Sequence, residues 1–222
     1  MIKTIVFDMD GVLIDSEQRI LAIWEAVARE KQIPNVASTL MKCIGITAPE
    51  TEAIFKSTYG QDFPYTEYKA IVSSMYHKEI DEQGVPLKPG VHELFDFLQK
   101  NHYKIGLASS TREVTVKKEM KMAGLLDAFD VIVCGDMVTH SKPHPQIYQT
   151  AASLLGIAPQ ECYAIEDSPN GIRSAHRAEL KPIMVPDLIM PDAEIKELLY
   201  KQFTSLHDVL DFLRFFNITE PA

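Results

Sequence analysis

Apolar and polar positions follow two different rhythms along this chain. Thr4-Ile5-Val6-Phe7 is β-branched or aromatic throughout, with no Gly or Pro, and predicts a short buried strand. Asp15-Ser16-Glu17 then suits a helix start, and Ile20, Leu21, Ile23, Trp24, Val27 and Ala28 recur at helical spacing until Pro34. The pattern stays helical and strand-poor as far as Gly84. Pro49-Glu50-Thr51-Glu52 opens one helix, Gly60 and Pro64 interrupt, and another helix is predicted over 67–80. Residues 84–90, Gly-Val-Pro-Leu-Lys-Pro-Gly, are rich in breakers and read as a linker.

Beyond the linker the rhythm changes. Helices predicted over 91–100, 112–122, 145–155 and 171–178 alternate with strands over 104–108, 131–133, 163–165 and 182–185, and helical segments follow around 193–200 and 206–215. Such alternation implies a parallel sheet with helices on both faces, to which residues 3–7 add a further strand. An α/β domain, 1–14 and 88–222, is thus predicted to be interrupted after its first strand by a helical insert, 15–87.

Composition narrows the possible functions. With 222 residues the chain can bury a core and carry an insert, and 46% hydrophobic with 24% charged residues is ordinary for a globular protein. A formal net charge of -9 argues against a general nucleic-acid binder, though it leaves room for a small phosphorylated ligand held by a local cation. Cys43, Cys134 and Cys162 are odd in number and far apart, so they read as core residues, without a disulfide framework or zinc site. No apolar run approaches membrane-spanning length and the N-terminus reads as a strand, so a cytoplasmic, monomeric protein without a membrane partner is expected.

The candidate chemistry gathers where strands end, the edge at which open parallel sheets bind ligands. Asp8 and Asp10 follow the first strand and precede Gly11. They suit a hard ion such as Mg²⁺, or equally a turn built on Asp10-Gly11. Ser109-Ser110-Thr111 offers hydroxyls and free N–H groups at a helix start, as an anion site or an N-cap. Lys142 lies in Ser-Lys-Pro-His-Pro, restricted in position or simply solvated. Glu166-Asp167-Ser168-Pro169 places two acids where apolar residues stop, or caps a helix with Pro in its first turn. Each alone is weak. Together they bring acid pairs, hydroxyls and a lysine to one sheet edge, which suits phosphoryl transfer. No G-x-x-x-x-G-K-[ST] loop is present, so a carboxylate nucleophile is the natural candidate.

Asp8-Met9-Asp10-Gly11, Ser109 after an apolar strand, Lys142 in Ser-Lys-Pro and Glu166-Asp167-Ser168 resemble the four motifs of the haloacid dehalogenase superfamily, in order and over residues 2–213. The helical insert resembles the cap of its β-phosphoglucomutase and sugar-phosphatase subgroup. The resemblance implies an α/β, parallel-sheet Rossmann-like core with a helical cap inserted after the first strand. It implies Asp8 as nucleophile, forming an aspartyl-phosphate, and Asp10 as general acid and base. Mg²⁺ would be held by Asp8, the Asp10 carbonyl and Asp167, with Glu166 directly or behind them. Ser109 and the Ser110 backbone would bind the phosphoryl group and Lys142 would neutralise it, while Gly45 and Thr47 lie where relatives carry a substrate-specificity loop.

The implied activity is a Mg²⁺-dependent phosphatase acting on a small phosphate ester, a sugar or polyol phosphate. Mutases of the subgroup carry a histidine four residues before a tryptophan; here the tryptophan is Trp24 and the position is Ile20. Their cap-loop arginine corresponds to Ala48. Both departures point to hydrolysis, while Arg19 and Lys78, as cap cations, keep a mutase as the alternative. Asp10 counts against the dehalogenase and phosphonate-cleaving branches. A non-catalytic phosphate-sensing protein on the same fold is the rival of another class, opposed by the presence of Asp8, Asp10, Lys142 and Asp167 together. Glu179 stands where relatives have a helix-ending glycine, which implies local strain.

Overall fold

Strand β1, Thr4–Phe7, is buried at every position because both of its faces are covered. In the computed structural model, which describes residues 2–219, Ile5 and Phe7 enter one hydrophobic cluster and Val6 another. Four helices follow: α1 (Ser16–Lys31), α2 (Val36–Leu40), α3 (Ala48–Tyr59) and α4 (Tyr65–Gln83). The chain then alternates through α5 (Val91–Lys100), β2 (Lys104–Ser109), α6 (Glu113–Met122), β3 (Val131–Cys134), α7 (Gln146–Leu155), β4 (Tyr163–Glu166), α8 (Pro169–Arg177) and β5 (Lys181–Met184). It closes with α9 (Ala193–Leu198), β6 (Lys201–Gln202) and α10 (Leu206–Thr219).

The strands form one parallel sheet in the order β3-β2-β1-β4-β5-β6. One face is packed by α5, α6 and α10 through Leu94, Phe95, Leu98, Val116, Met120, Val209 and Leu210. The other is packed by α7 and α8, where Ala151, Ala152 and Ala175 allow close approach of helix to sheet. β1 is central, with β2 on one side and β4 on the other. The order reverses direction there, so the β1, β2 and β4 ends share one crevice.

Helices α1–α4 have a core of their own. Trp24, Phe55 and Tyr65 form its centre, with Trp24–Phe55 and Phe55–Tyr65 ring centroids each 4.9 Å apart. Two segments, side by side, join this insert to the sheet. Asp15 N donates to Pro86 O at 2.7 Å, Lys88 N to Leu13 O at 2.9 Å, and Ile14 bridges to Leu87. Lys88 Nζ also reaches Asp187 Oδ1 at 2.9 Å and Asp15 Oδ1 at 3.5 Å.

Besides three short 3₁₀ turns, at Leu126–Ala128, Gly135–Met137 and Pro159–Glu161, the structure adds one helix and one strand to those expected and shortens one helix. Helix α2 has five residues, too few to show a period. The helix expected to Tyr200 stops at Leu198, and two exposed residues form the edge strand β6 instead. Tyr200 leaves the helix because its N–H donates to Pro182 O and its ring packs on Tyr163 and Phe212. All three cysteines are free and buried. Among the described residues no helix is long and apolar enough to cross a membrane.

Candidate active site

The turn after β1 is shaped by what lies opposite. Asp8 N continues the ladder to Ile165 O at 2.9 Å, and Leu13 and Ile14 N–H groups both return to Met9 O. Gly11 has φ +78, and a β-carbon there would stand 2.4 Å from Asp167 Oδ2. Only glycine combines that backbone with that clearance. The β1 and β4 loops are thereby pressed together, and Asp8 meets Asp167.

Lys142 lies between Asp8 and Glu166 and is almost wholly buried, with 1% of its surface exposed. Its ammonium donates to Asp8 Oδ1 at 2.6 Å, Glu166 Oε1 at 2.7 Å and Ala108 O at 3.0 Å, which uses all three protons. Burial works against its charge, yet Asp8 and Glu166 hold its pKa above the ordinary lysine range. Glu166 is fixed from both ends. Tyr148 donates to Oε1 at 2.6 Å, while Oε2 accepts from Ser168 Oγ at 3.1 Å and from the Asp167 N–H at 3.2 Å. Ser168 Oγ in turn caps α8 by accepting from Gly171 N at 3.0 Å.

Charge in this cluster does not balance. Asp8, Glu166 and Asp167 are all buried, can bring ligand oxygens within 4.8 Å of one another, and have one lysine among them. Burial, opposed by Lys142 and reinforced by Glu166 and Asp10, pushes Asp8 up to about 8. Asp167 is held well above the carboxylate range by burial and then by Glu166 and Asp8. Hard oxygen donors with uncompensated negative charge fit a divalent cation of the Mg²⁺ type.

Asp10 lives in different surroundings. Ser16 Oγ donates to its Oδ1 at 2.6 Å and Thr111 Oγ1 to its Oδ2 at 2.9 Å, so hydroxyls from the insert and from the β2–α6 loop aim it into the cavity. Its carboxylate is outside the Asp8, Glu166 and Asp167 cluster. Ser109 is buried and its Oγ accepts from Thr111 N at 3.1 Å, which shapes the same loop.

The insert closes over these groups and leaves a cavity of about 600 Å³, the size of a small-molecule site. Gly45 and Thr47 both line it, from the loop between α2 and α3. Gly45 O accepts from Ser110 Oγ at 2.9 Å, and Ile44 O from Asn170 Nδ2 at 3.0 Å. Thr47 donates through its N–H and hydroxyl to Glu50 at 3.2 and 3.0 Å, and Glu50 also meets Ser141 beside the lysine. Ile20 and Ala48 line the cavity as expected, but Arg19 and Lys78 do not. Arg19 is ion-paired to Glu79, and Lys78 is 75% exposed beside Glu82.

Other wall residues were not expected from the sequence. Helix α4 contributes Lys69, Ser73, Tyr76 and His77, and Arg112, Thr115 and Glu119 face them from the β2–α6 loop and α6, with Glu17 on α1. Spacings of three, four and seven put each set on one helix face. A polar residue at a core position, such as Glu119 between Val116 and Met120, was the available signal.

A parallel sheet with an acid pair after its central strand, a buried lysine facing it, a second acid pair on the neighbouring strand and a helical insert defines a haloacid dehalogenase-type hydrolase. The family model for haloacid dehalogenase-like hydrolases matches residues 5–185, and the chain belongs to that family. Hexitol phosphatase B of Escherichia coli strain K12 is 29% identical over 195 residues, 82% of this chain and 82% of its own. Beta-phosphoglucomutase of Bacillus subtilis is 29% identical over 203 residues, 85% of this chain and 88% of its own. The crystal structure of CbbY from Rhodobacter sphaeroides in complex with phosphate shares the fold, with a TM-score of 0.78 at 24% identity over 94% of this chain and 96% of that chain.

Proposed function

We propose that this chain is a Mg²⁺-dependent phosphatase that hydrolyses a sugar or polyol phosphate through an aspartyl-phosphate. The contrast between Asp8 and Asp10 carries this reading. One is buried against Lys142 and the acid cluster; the other is aimed by two hydroxyls into the cavity. Two carboxyls in unlike environments can divide nucleophilic and proton-transfer work.

Asp8 attacks phosphorus in line and the ester oxygen leaves, taking a proton from Asp10. A water molecule then attacks the aspartyl-phosphate, losing its proton to Asp10 and releasing phosphate and free Asp8. The Ser109-Ser110 loop binds the transferring group, while Lys142, kept on Asp8 by Glu166, supplies the positive charge that neutralises it. Asp8, Asp167, the Asp10 carbonyl and, directly or behind them, Glu166 would hold Mg²⁺, which when bound neutralises charge on the phosphoryl oxygens. The closed insert excludes bulk water from the nucleophile.

Asp8→Asn is expected to abolish Mg²⁺-dependent phosphate release from 4-nitrophenyl phosphate, and undiminished release would overturn the mechanism. Hydrolysis is favoured over isomerisation because Ile20 and Ala48 on the cavity wall offer neither a proton nor a charge. The relative named hexitol phosphatase B supports the substrate class. A mutase is the second reading, favoured by Lys69 and Arg112, cavity cations able to hold a second phosphate. Incubation with hexose 1-phosphates separates the two: free phosphate supports the phosphatase, and 6-phosphate isomers forming faster support the mutase.

A further inference from the structure

Helices α4 and α6 face each other across the cavity, tied near the end of α4 by Lys118 Nζ to Asp81 Oδ1 at 3.0 Å. At this end of the cavity two polar groups have no partner. The Tyr76 hydroxyl is buried without a hydrogen bond among the described residues. Glu119 is 2% exposed and lines the cavity; among the described residues its carboxyl has no hydrogen bond and no ion pair, and the adjacent Lys118 turns to Asp81. Native proteins pair nearly all buried polar groups, so the buried Tyr76 hydroxyl and the Glu119 carboxyl facing it from α6 mark where a ligand supplies the missing bonds.

The chemistry of the pair limits that ligand. An alcohol hydroxyl both donates and accepts, so it can donate to Glu119 and accept from Tyr76. An ammonium group can donate to both but leaves the phenol proton unused. The cations Lys69 and Arg112 lie seven residues away on the two facing surfaces, about 10 Å at the helical rise. Burial, Asp10 and the opposing Lys118 together leave Glu119 pushed up to about 8, in keeping with a carboxyl that lacks a partner.

We propose that Tyr76 and Glu119 form a hydroxyl-reading subsite for the leaving group, so that the preferred esters carry a free hydroxyl close to the phosphate. This rests on the phosphatase reading for its place beside Asp10, and it adds residues that set specificity. Tyr76 presents the donor from the insert and Glu119 the acceptor from the core. The hydroxyl is therefore read only when the two are closed together.

The test is calorimetric binding to the Asp8→Asn protein with Mg²⁺, using sorbitol 6-phosphate, glucose 6-phosphate and phenyl phosphate. Tyr76→Phe removes only an unpaired oxygen and Glu119→Gln keeps the shape, so both variants are expected to fold. Each is expected to lower the affinity for the better hydroxylated ester at least tenfold relative to phenyl phosphate. An unchanged ratio in both variants, or no binding of either hydroxylated ester, overturns the subsite. Phosphate release by the chain carrying Asp8 is scored separately. If it fails while the tenfold loss is seen, the phosphatase reading falls and the subsite stands.

Discussion

A β-carbon on Gly171 would stand 1.9 Å from the Glu166 carboxylate, at the point where α8 starts beneath the acid cluster. Glu166 cannot move aside freely, because Lys142, Tyr148 and Ser168 hold both its oxygens. Gly171→Ala is therefore expected to displace Glu166 and with it Lys142 from Asp8. Overpacking of this kind costs about 1–3 kcal/mol of stability. Phosphate release should fall by about a hundredfold or more, as for a misplaced catalytic group. Urea unfolding with parallel activity assays checks both, and an active variant of normal stability would refute the arrangement.

Glu119 gives the fold a pH dependence. Its carboxyl takes up a proton at about 8 in the folded chain against an ordinary 4.5, raised by burial and then by Asp10, with Lys118 opposing. Between those values the folded chain holds a proton that the unfolded chain has released. Stability therefore falls as pH rises through this window and levels off above it. A glutamine in its place has no proton to lose. Glu119→Gln should gain stability over the parent steadily from about pH 4.5 to 8, reaching a few kcal/mol, since each pK unit is worth about 1.4 kcal/mol. Denaturant midpoints at pH 4.5 and pH 8 measure this. Equal differences at the two pH values would show that Glu119 ionises normally.

Much of this was legible in the sequence because the relevant residues are neighbours in it. Asp8 and Asp10, Ser109 and Ser110, and Glu166 and Asp167 each end an apolar strand, and a parallel sheet carries all strand ends to one edge. The cavity walls were not legible in the same way. Tyr76 reads as one more apolar residue of α4 beside Val72 and Ile80, and Glu119 as one more charge in a helix with three lysines. Only the pairing of α4 with α6 gives them a role, and that is a tertiary fact. Lys78, expected near the substrate, lies on the other side of α4 from Tyr76, at a spacing of two residues.

Lys88 holds the two linkers to the sheet through Asp187, whose side chain is only 2% exposed. Asp187 Oδ1 accepts from Lys88 and from Gln18 of α1, and its Oδ2 is buried without a partner among the described residues. Lys88→Met would leave that carboxylate without its cation. The expected cost is about 2–4 kcal/mol, most of it the penalty of an unpaired buried charge. Adding Asp187→Asn should recover a good part, so the double variant should be more stable than Lys88→Met alone. Strict additivity of the two losses would show that the pair is not coupled.

Glu179 ends α8 in the left-handed region, φ +64, with its N–H on His176 O and the following Leu180 N–H on Ala175 O. A side chain pays about 1 kcal/mol to sit there, and glycine does not. Glu179 is exposed, and the bond its carboxylate accepts from Gln160 is a surface one of small net value. Glu179→Gly should therefore stabilise the chain by about 0.5–1 kcal/mol, after allowance for the freer unfolded chain. For a chain of this size that is a rise in Tm of about 1–4 °C. Glu179→Ala is the control, because it removes the same carboxylate but keeps the β-carbon. If alanine stabilises as much as glycine, backbone strain at this position is not the cause. The position is remote from Asp8 and Asp10 in the sequence and touches none of the cluster residues, so activity should be the same in both variants at temperatures where all are folded.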